Sequence, residues 1–374
     1  MKRKFSKEEE ELFMQLEKKY GNIIDEQNEI TVFNRQKWNQ IAELGIIGGL
    51  FDKEYGGQGW KLDFFAEVMK MLGEKCGDIG LLFSLSAHIL ACMTSINRFG
   101  TEQQKQLYLP QMISGELIAA IAIAEEQGAS DAFAMETIAS KTAGGYILNG
   151  EKCYITNAPI CDVVLIFAKN CNTNDIICLL VDRNTKGIEF SDSIEKMGLI
   201  SSPFGKIAFK NCFVEEKKRL GTEKSGKMVF FNSMEWERGM ILAPTLGIMK
   251  QQIERCIAYL SNRESKDKKL LENQVLRHRI VDMQLRLDIC EMILNNFINE
   301  KHQGMFAIKE SIMSKLYISE AFAQNSFEAM QLLGAKGYTK QEKLGQQMMD
   351  ALGFSIASGT SDIQREMLAK IMRI

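Results

Sequence analysis

Residues 122–158 read AIAEEQGASDAFAMETIASKTAGGYILNGEKCYITNA. From Tyr146-Ile-Leu-Asn onward this stretch is β-prone and punctuated by Gly and Asn. The texture continues through Val163-Val-Leu-Ile-Phe, Ile176-Ile-Cys-Leu-Leu-Val and Lys206-Ile-Ala-Phe. On both sides it gives way to helices. Upstream, Glu8–Lys19, Gln36–Leu44 and Thr101–Ile113 are charged and amphipathic, with turns at GG and YGGQG. Downstream, helical patterns cover roughly 228–262, 268–302 and 306–333, followed by a shorter C-terminal helix. Pro244 is expected to kink the first of these. The order is helices, a small β unit, then a helical bundle.

Bulk properties bound the function. A chain of 374 residues exceeds the size at which one core stops growing, so two or three domains are expected. Apolar residues at 45% and charged residues at 25% fit a soluble globular protein. Lys+Arg 46 against Asp+Glu 48 gives no reason to expect a nucleic-acid or anionic-membrane partner. Lys266-Asp-Lys-Lys269 and the run Glu8 to Glu11 read as solvated helix faces. No apolar run approaches the ~20 residues of a membrane span, and Met-Lys-Arg-Lys leads into acids, so the expected location is cytoplasmic. Nine cysteines without a CxxC pair read as reduced and buried. His88, His278 and His302 are too scattered for a metal site. Gly221-Thr-Glu-Lys-Ser-Gly226-Lys227-Met228 nearly fits the phosphate-loop pattern, but Met228 has no hydroxyl for Mg²⁺, so it reads as a polar loop entering a helix. No GxGxxG follows a strand, so a Rossmann fold is unsupported.

Further motifs lie collinear with 122–158: ELGIIGGLFDKEYGGQG (43–59), LPQMISGE (109–116), QLLGAKGY (331–338) and SGTSDIQR (358–365). Together they resemble the acyl-CoA dehydrogenase family over almost the whole chain. The resemblance implies an α+β fold with an N-terminal helical domain (1–117), a middle β-barrel (118–224) and a C-terminal helical bundle (225–374). It also implies non-covalent FAD and, most often, a homotetramer. Ala124 and Ser130 match the flavin-contacting ends of the family's TEPGAGS, and Ser130 can also meet the substrate's thiol arm. Tyr154-Ile155-Thr156 stands where the family has Trp-Ile-Thr, so Tyr154 would wall the flavin and Thr156 would hydrogen-bond to it. Arg263, Gln274 and the 331–335 stretch, with Gln331 and Gly334, match residues that grip the diphosphate and adenine, partly across a subunit boundary. A guanidinium fork suits Arg263 to a phosphate. Thr360 and Asp362 match the residues after the usual glutamate. Three departures stand out. The family's Arg-x-x-Phe-Gly is Arg263-Glu-Ser-Lys-Asp267, its proline after the glutamate of TEPGAGS is Glu126, and the arginine before Asp350 is Met349. Asp350 must therefore find another partner or face water.

A fourth departure concerns the chemistry. In IASGTSDIQR (356–365) the family's catalytic glutamate is replaced by Ser358, whose hydroxyl is too weak a base to take a proton beside a thioester. Within NSMEWERG (232–239), Glu237 matches the position where the isovaleryl-CoA and long-chain branches carry their base, and Arg238 matches a family arginine at the substrate. At 100° per residue, Glu235 and Glu237 lie about 200° apart. Glu235 is expected to pair with Arg238 on the surface, and Glu237 to share an apolar side with Met234 and Ile241. Ser358 would then offer its backbone N–H to the thioester carbonyl. The expected reaction is FAD-dependent α,β-dehydrogenation of an acyl thioester, on a carrier protein or on CoA. Glu237 would take the α-proton, flavin N5 the hydride, and electron-transfer flavoprotein or O₂ the electrons. Members acting on carrier-bound aminoacyl groups in specialised metabolism, such as prolyl-carrier-protein dehydrogenases, show similar ends. The alternative is a non-catalytic flavin-binding or scaffolding homologue.

Overall fold

The computed structural model describes residues 5–21, 32–127 and 132–374. Six helices come first: α1 (Lys7–Gly21), α2 (Arg35–Glu43), α3 (Leu62–Lys75), α4 (Ile79–Ser86), α5 (Thr94–Phe99) and α6 (Glu102–Ile113). Their starts are encoded locally. Asn34 accepts from the Lys37 N–H at 2.9 Å, and Thr101 with Gln104 forms a reciprocal capping box. A π-helical stretch, Ala87–Met93, joins α4 to α5, making Ile79–Phe99 a continuous helix of 21 residues. That helix is long and apolar enough for a membrane span, contrary to the expectation that no stretch comes close. Its most apolar part is wholly buried inside the protein, so its character is that of a central core helix.

The middle region is an eight-stranded sheet: β1 (Ala119–Ala122), β2 (Ile138–Thr142), β3 (Gly145–Thr156), β4 (Val163–Asn170), β5 (Ile176–Asp182), β6 (Ile188–Phe190), β7 (Phe204–Glu215) and β8 (Arg219–Leu220). Its order is β6-β7-β3-β2-β4-β5-β8, with β1 added on β4. The sheet closes on a core of its own, including Tyr146, Leu148, Ile166, Leu179, Phe209 and Val214. Cys171, in the turn between β4 and β5, is exposed, whereas the other eight cysteines are buried.

The C-terminal region holds α7 (Gly226–Met240), α8 (Ala243–Asn262), the hairpin β9 (Glu264–Ser265) and β10 (Lys268–Lys269), α9 (Gln274–His302), α10 (Ile308–Leu332), α11 (Leu344–Ile356) and α12 (Ser361–Met372). Pro244 does not kink one long helix. It sits in the first turn of α8, where a missing N–H leaves no hydrogen bond unmade, so the chain breaks before it. Lys266–Lys269 is likewise not helical. Lys266 and Asp267 adopt φ of +53° and +60°, the left-handed pair that a two-residue hairpin turn requires. Helices α3 and α8 touch backbone to backbone. A Cβ on Gly73 would fall 1.8 Å from the Pro244 carbonyl oxygen, and one on Gly247 2.0 Å from that of Lys70.

The loop between β6 and β7 ties the three regions together. Ser201 donates to Asp78, the N-cap of α4, and the Ser202 and Ser84 hydroxyls lie 2.8 Å apart. The Leu199 N–H donates to Asp350 on α11 at 2.6 Å, and Gln346 Nε2 donates to the same oxygen at 2.8 Å. Asp350 thus replaces the missing arginine with two hydrogen bonds.

Candidate active site

Helix α7 is buried on more than one side. Glu237 and Arg238 are both buried, and so is Glu235. Glu235 is therefore not a surface partner of Arg238. Its Oε1 accepts the Ala307 N–H at 2.5 Å, and Lys301 Nζ lies 3.3 Å from Oε2, tying α7 to the ends of α9 and α10. Arg238 turns the other way, donating from Nε to the Ser358 carbonyl at 3.0 Å and toward Met367 Sδ at 3.6 Å.

Glu237 meets Ser358 directly. The Ser358 hydroxyl donates to Oε1, while Oε2 is buried without a hydrogen-bond partner among the described residues. Burial pushes the carboxyl above its usual range, and the Ser358 hydrogen bond and the Arg238 charge pull back. Ser358 has φ +56° and Gly359 +94°, so position 358, where the family pattern has its glutamate, lies in a left-handed turn between α11 and α12. Thr360 caps α12, accepting from the Ile363 N–H at 3.3 Å, whereas Asp362 is exposed in its first turn.

The second part of the site lies at the end of β3. The register of β3 against β7 slips between Lys152 and Ile155, and Tyr154 bulges out with φ +60°. Its ring is half exposed and stacks on Phe204 at 5.8 Å and 27°. Thr156 is half-buried beside it, and Ala124 accepts the Cys153 N–H at 2.9 Å. A flat ring open on one side, an adjacent hydroxyl and a buried carboxylate with a free oxygen fit a flavin and its substrate. Ser130 lies outside the described residues.

Behind this wall is a buried ion pair that sequence reasoning missed. Lys152 Nζ donates to Glu125 at 2.7 Å and to the Ile123 carbonyl at 2.9 Å. Glu125 also accepts from Thr137 Oγ1 at 2.6 Å and from the Glu136 and Thr137 N–H groups. Burial raises its proton affinity, but Lys152 and Thr137 outweigh that and hold the carboxyl below its usual range. The core helix connects the two halves of the site. Asn157 Nδ2 donates to the Ser84 carbonyl, and the buried Cys92 thiol lies within reach of Glu237's charge. These anchor points are roughly 10 Å apart along the helix. His88 on the same helix is a bridge, not a ligand: it accepts the Ala119 N–H at Nδ1, and burial pushes its pKa down to about 3.

Arg263, Gln274, Gln331 and Gly334 are not brought to Glu237. All four are exposed at one end of the bundle. Arg263 lies over the Tyr259 ring, and Gln331 accepts from Arg279 at 3.0 Å, about 24 Å along α10 from the level of Lys315. Lys315 was also missed. It is a lone lysine on the buried stripe Ile312, Ile318, Phe322, and that interruption was its signal.

The N-terminal, middle and C-terminal domain families of the acyl-CoA dehydrogenases match residues 9–116, 120–212 and 224–373. The chain belongs to the acyl-CoA dehydrogenase family, and is an oxidoreductase of that type. It is 34% identical over 342 residues to L-prolyl-[peptidyl-carrier protein] dehydrogenase of Serratia sp. (strain ATCC 39006), covering 91% of this chain and 89% of the relative. Against mitochondrial isovaleryl-CoA dehydrogenase of Pongo abelii it is 31% identical over 352 residues, 93% and 82% of the two chains. The crystal structure of the prolyl acyl carrier protein oxidase AnaB superposes with a TM-score of 0.96 at 33% identity, covering 99% of this chain and 100% of that one. PigA with FAD and proline gives 0.95 at 32% identity, covering 100% and 99%.

Proposed function

We propose that this protein dehydrogenates a small acyl or aminoacyl group held as a thioester on a carrier protein, with Glu237 as the base that takes the α-proton. FAD, when bound, supplies the acceptor for the β-hydride. The observation that carries the reading is the Glu237 carboxylate: buried, held through one oxygen by Ser358, and free at the other. A base works best when its pKa lies near the operating pH, and burial moves Glu237 in that direction. Arg238 and Ser358 favour the ionised form that accepts the proton. Tyr154 closes one side of the site and Thr156 offers a hydroxyl donor. The thioester carbonyl would lie against the Ser358 backbone N–H. A scaffold without chemistry would have no use for a dry carboxylate with an open oxygen.

The carrier-protein substrate is supported by the prolyl-carrier-protein relatives. CoA thioesters are the second reading, supported by the isovaleryl-CoA relative. The exposed Arg263, Gln274, Gln331 and Gly334 would serve the FAD of a neighbouring copy, which makes a homo-oligomer part of the proposal. Nine free thiols fit a reducing, cytosolic compartment. Either electron-transfer flavoprotein or O₂ would reoxidise the enzyme.

The test is anaerobic mixing with prolyl- and other aminoacyl-carrier thioesters and a panel of acyl-CoAs, following the bleaching of the flavin. Carrier thioesters should react fastest. Glu237→Gln should retain FAD and melting temperature yet reduce its flavin roughly 10²–10⁴-fold more slowly. Reduction of that variant at the wild-type rate would remove Glu237 as the base. A protein that takes up no FAD would favour the scaffold.

A further inference from the structure

Lys315 is 1% exposed on α10. Its hydrogen-bond acceptors are two main-chain carbonyls, Gly359 at 2.5 Å and Ser355 at 3.2 Å. Burial, reinforced by the Arg238 charge, pushes its pKa down to about 8. A desolvated ammonium on bare carbonyls is costly, and the carbonyls it holds flank Ser358. Two other donors converge on the same turn. Arg238 Nε reaches the Ser358 carbonyl at 3.0 Å, and Gln364 Nε2 on α12 lies 3.1 Å from both the Ser358 and Gly359 carbonyls. Three helices thus hold a turn whose serine sits at φ +56°, a conformation that L-residues other than Asn and Asp rarely adopt unaided. The outcome is the Ser358 hydroxyl on Glu237.

We propose that Lys315 is a positioning residue for the base: by gripping the Gly359 carbonyl it keeps the Ser358–Gly359 turn left-handed and the Ser358 hydroxyl on Glu237. The inference rests on Glu237 being the base. The groups facing Glu237 are Arg238 on its own helix, Cys92 on the core helix and Ser358. Burial and Glu237's own charge raise the Cys92 thiol well above its usual range, so it stays neutral. Lys315 faces the turn, so its influence on the carboxylate travels through Ser358.

The test titrates Glu237 by infrared difference spectroscopy in the full-length protein, with its protonated-carboxyl band assigned by loss in Glu237→Gln. Ser358→Ala removes a hydrogen bond to the charged form and should raise the midpoint by about one pH unit. Lys315→Met should raise it in the same direction, and the double variant should go no further than Ser358→Ala alone. The pH at which flavin reduction rises should move with it. An unmoved midpoint in Ser358→Ala overturns the proposal. So does a Lys315→Met that melts earlier with its midpoint unchanged, and so does full additivity in the double variant, which would mean a direct charge effect. If Lys315→Met does not fold, Gln364→Leu removes another donor to the same carbonyls and must shift the midpoint upward, or the proposal fails. The titration needs no turnover. Wild-type activity in Glu237→Gln would instead sink the base assignment and leave the titration result standing.

Discussion

Two carboxylates on α7 share burial and differ in what their oxygens touch. Glu237 Oε2 has neither a hydrogen bond nor an ion pair among the described residues, whereas Glu235 Oε2, also without a hydrogen bond, lies 3.3 Å from Lys301 and Oε1 accepts the Ala307 N–H. Glu235→Gln keeps an acceptor for Ala307 but strips Lys301 of its counter-charge, and Lys301 also lies 4.8 Å over the Trp236 ring. We expect a loss of about 1–3 kcal/mol in chemical denaturation with little change in flavin reduction. The resemblance to the isovaleryl-CoA and long-chain branches made Glu237 legible, and the apolar side marked by Met234 and Ile241 agreed with it. Helix geometry misplaced Glu235 for a physical reason. From Asn232 to Met240 the helix has no exposed residue, so lying 200° away did not mean facing water. Ser358 was legible as a vacancy. That its hydroxyl would reach Glu237 depends on two residues, 358 and 359, at positive φ; the Ser-Gly pair announces a turn but not where the serine points.

At the scale of elements, the chain departs from its family where it builds the 264–269 hairpin. Where the family pattern has Phe-Gly, Lys266 and Asp267, both left-handed, make a tight turn that closes β9 onto β10 and returns the chain to α9. The turn survives, but the phenylalanine side chain of the family pattern does not. Arg263 stays exposed, its guanidinium over the Tyr259 ring and donating to the Tyr259 hydroxyl at 2.5 Å, a contact an anion would have to replace. Arg263→Ala should therefore weaken FAD retention, measured by dialysis against free flavin, with no loss of helix content. A charge-assisted contact to a phosphate is worth about 1.5–3 kcal/mol. Unchanged retention would leave Arg263 as a surface charge. The β-strands and most helices were readable from periodicity. The α7–α8 break was not, because Pro244 can either kink a helix or open one, and the backbone contact between α3 and α8 decided for opening.

For the molecule as a whole, the β6–β7 loop is the joint of three regions, and two buried acids hold it. Asp350 is pushed up to about 6 by burial, from an ordinary 3.8. The native state thus binds this proton more tightly than the unfolded chain, so the group's contribution to stability falls as pH rises from about 4 to about 6 and stays low above. Asp350→Asn keeps an oxygen for the Leu199 N–H and for Gln346. Its melting temperature should exceed that of the wild type at pH 7, with the advantage shrinking toward pH 4. Asp350 was flagged in the sequence only as a residue without its arginine, since its new partner is a main-chain N–H from a loop 151 positions away. The exposed Cys171 has a practical corollary. With eight thiols in the interior and one at a turn tip, a mild maleimide reaction should mark each chain once, far from α7 in sequence and on a different domain. Spin labels placed there would turn an assembled particle into a set of equivalent points, and the number of distinct distances between them would read out its symmetry: one for a two-fold pair, up to three for a tetramer of paired dimers.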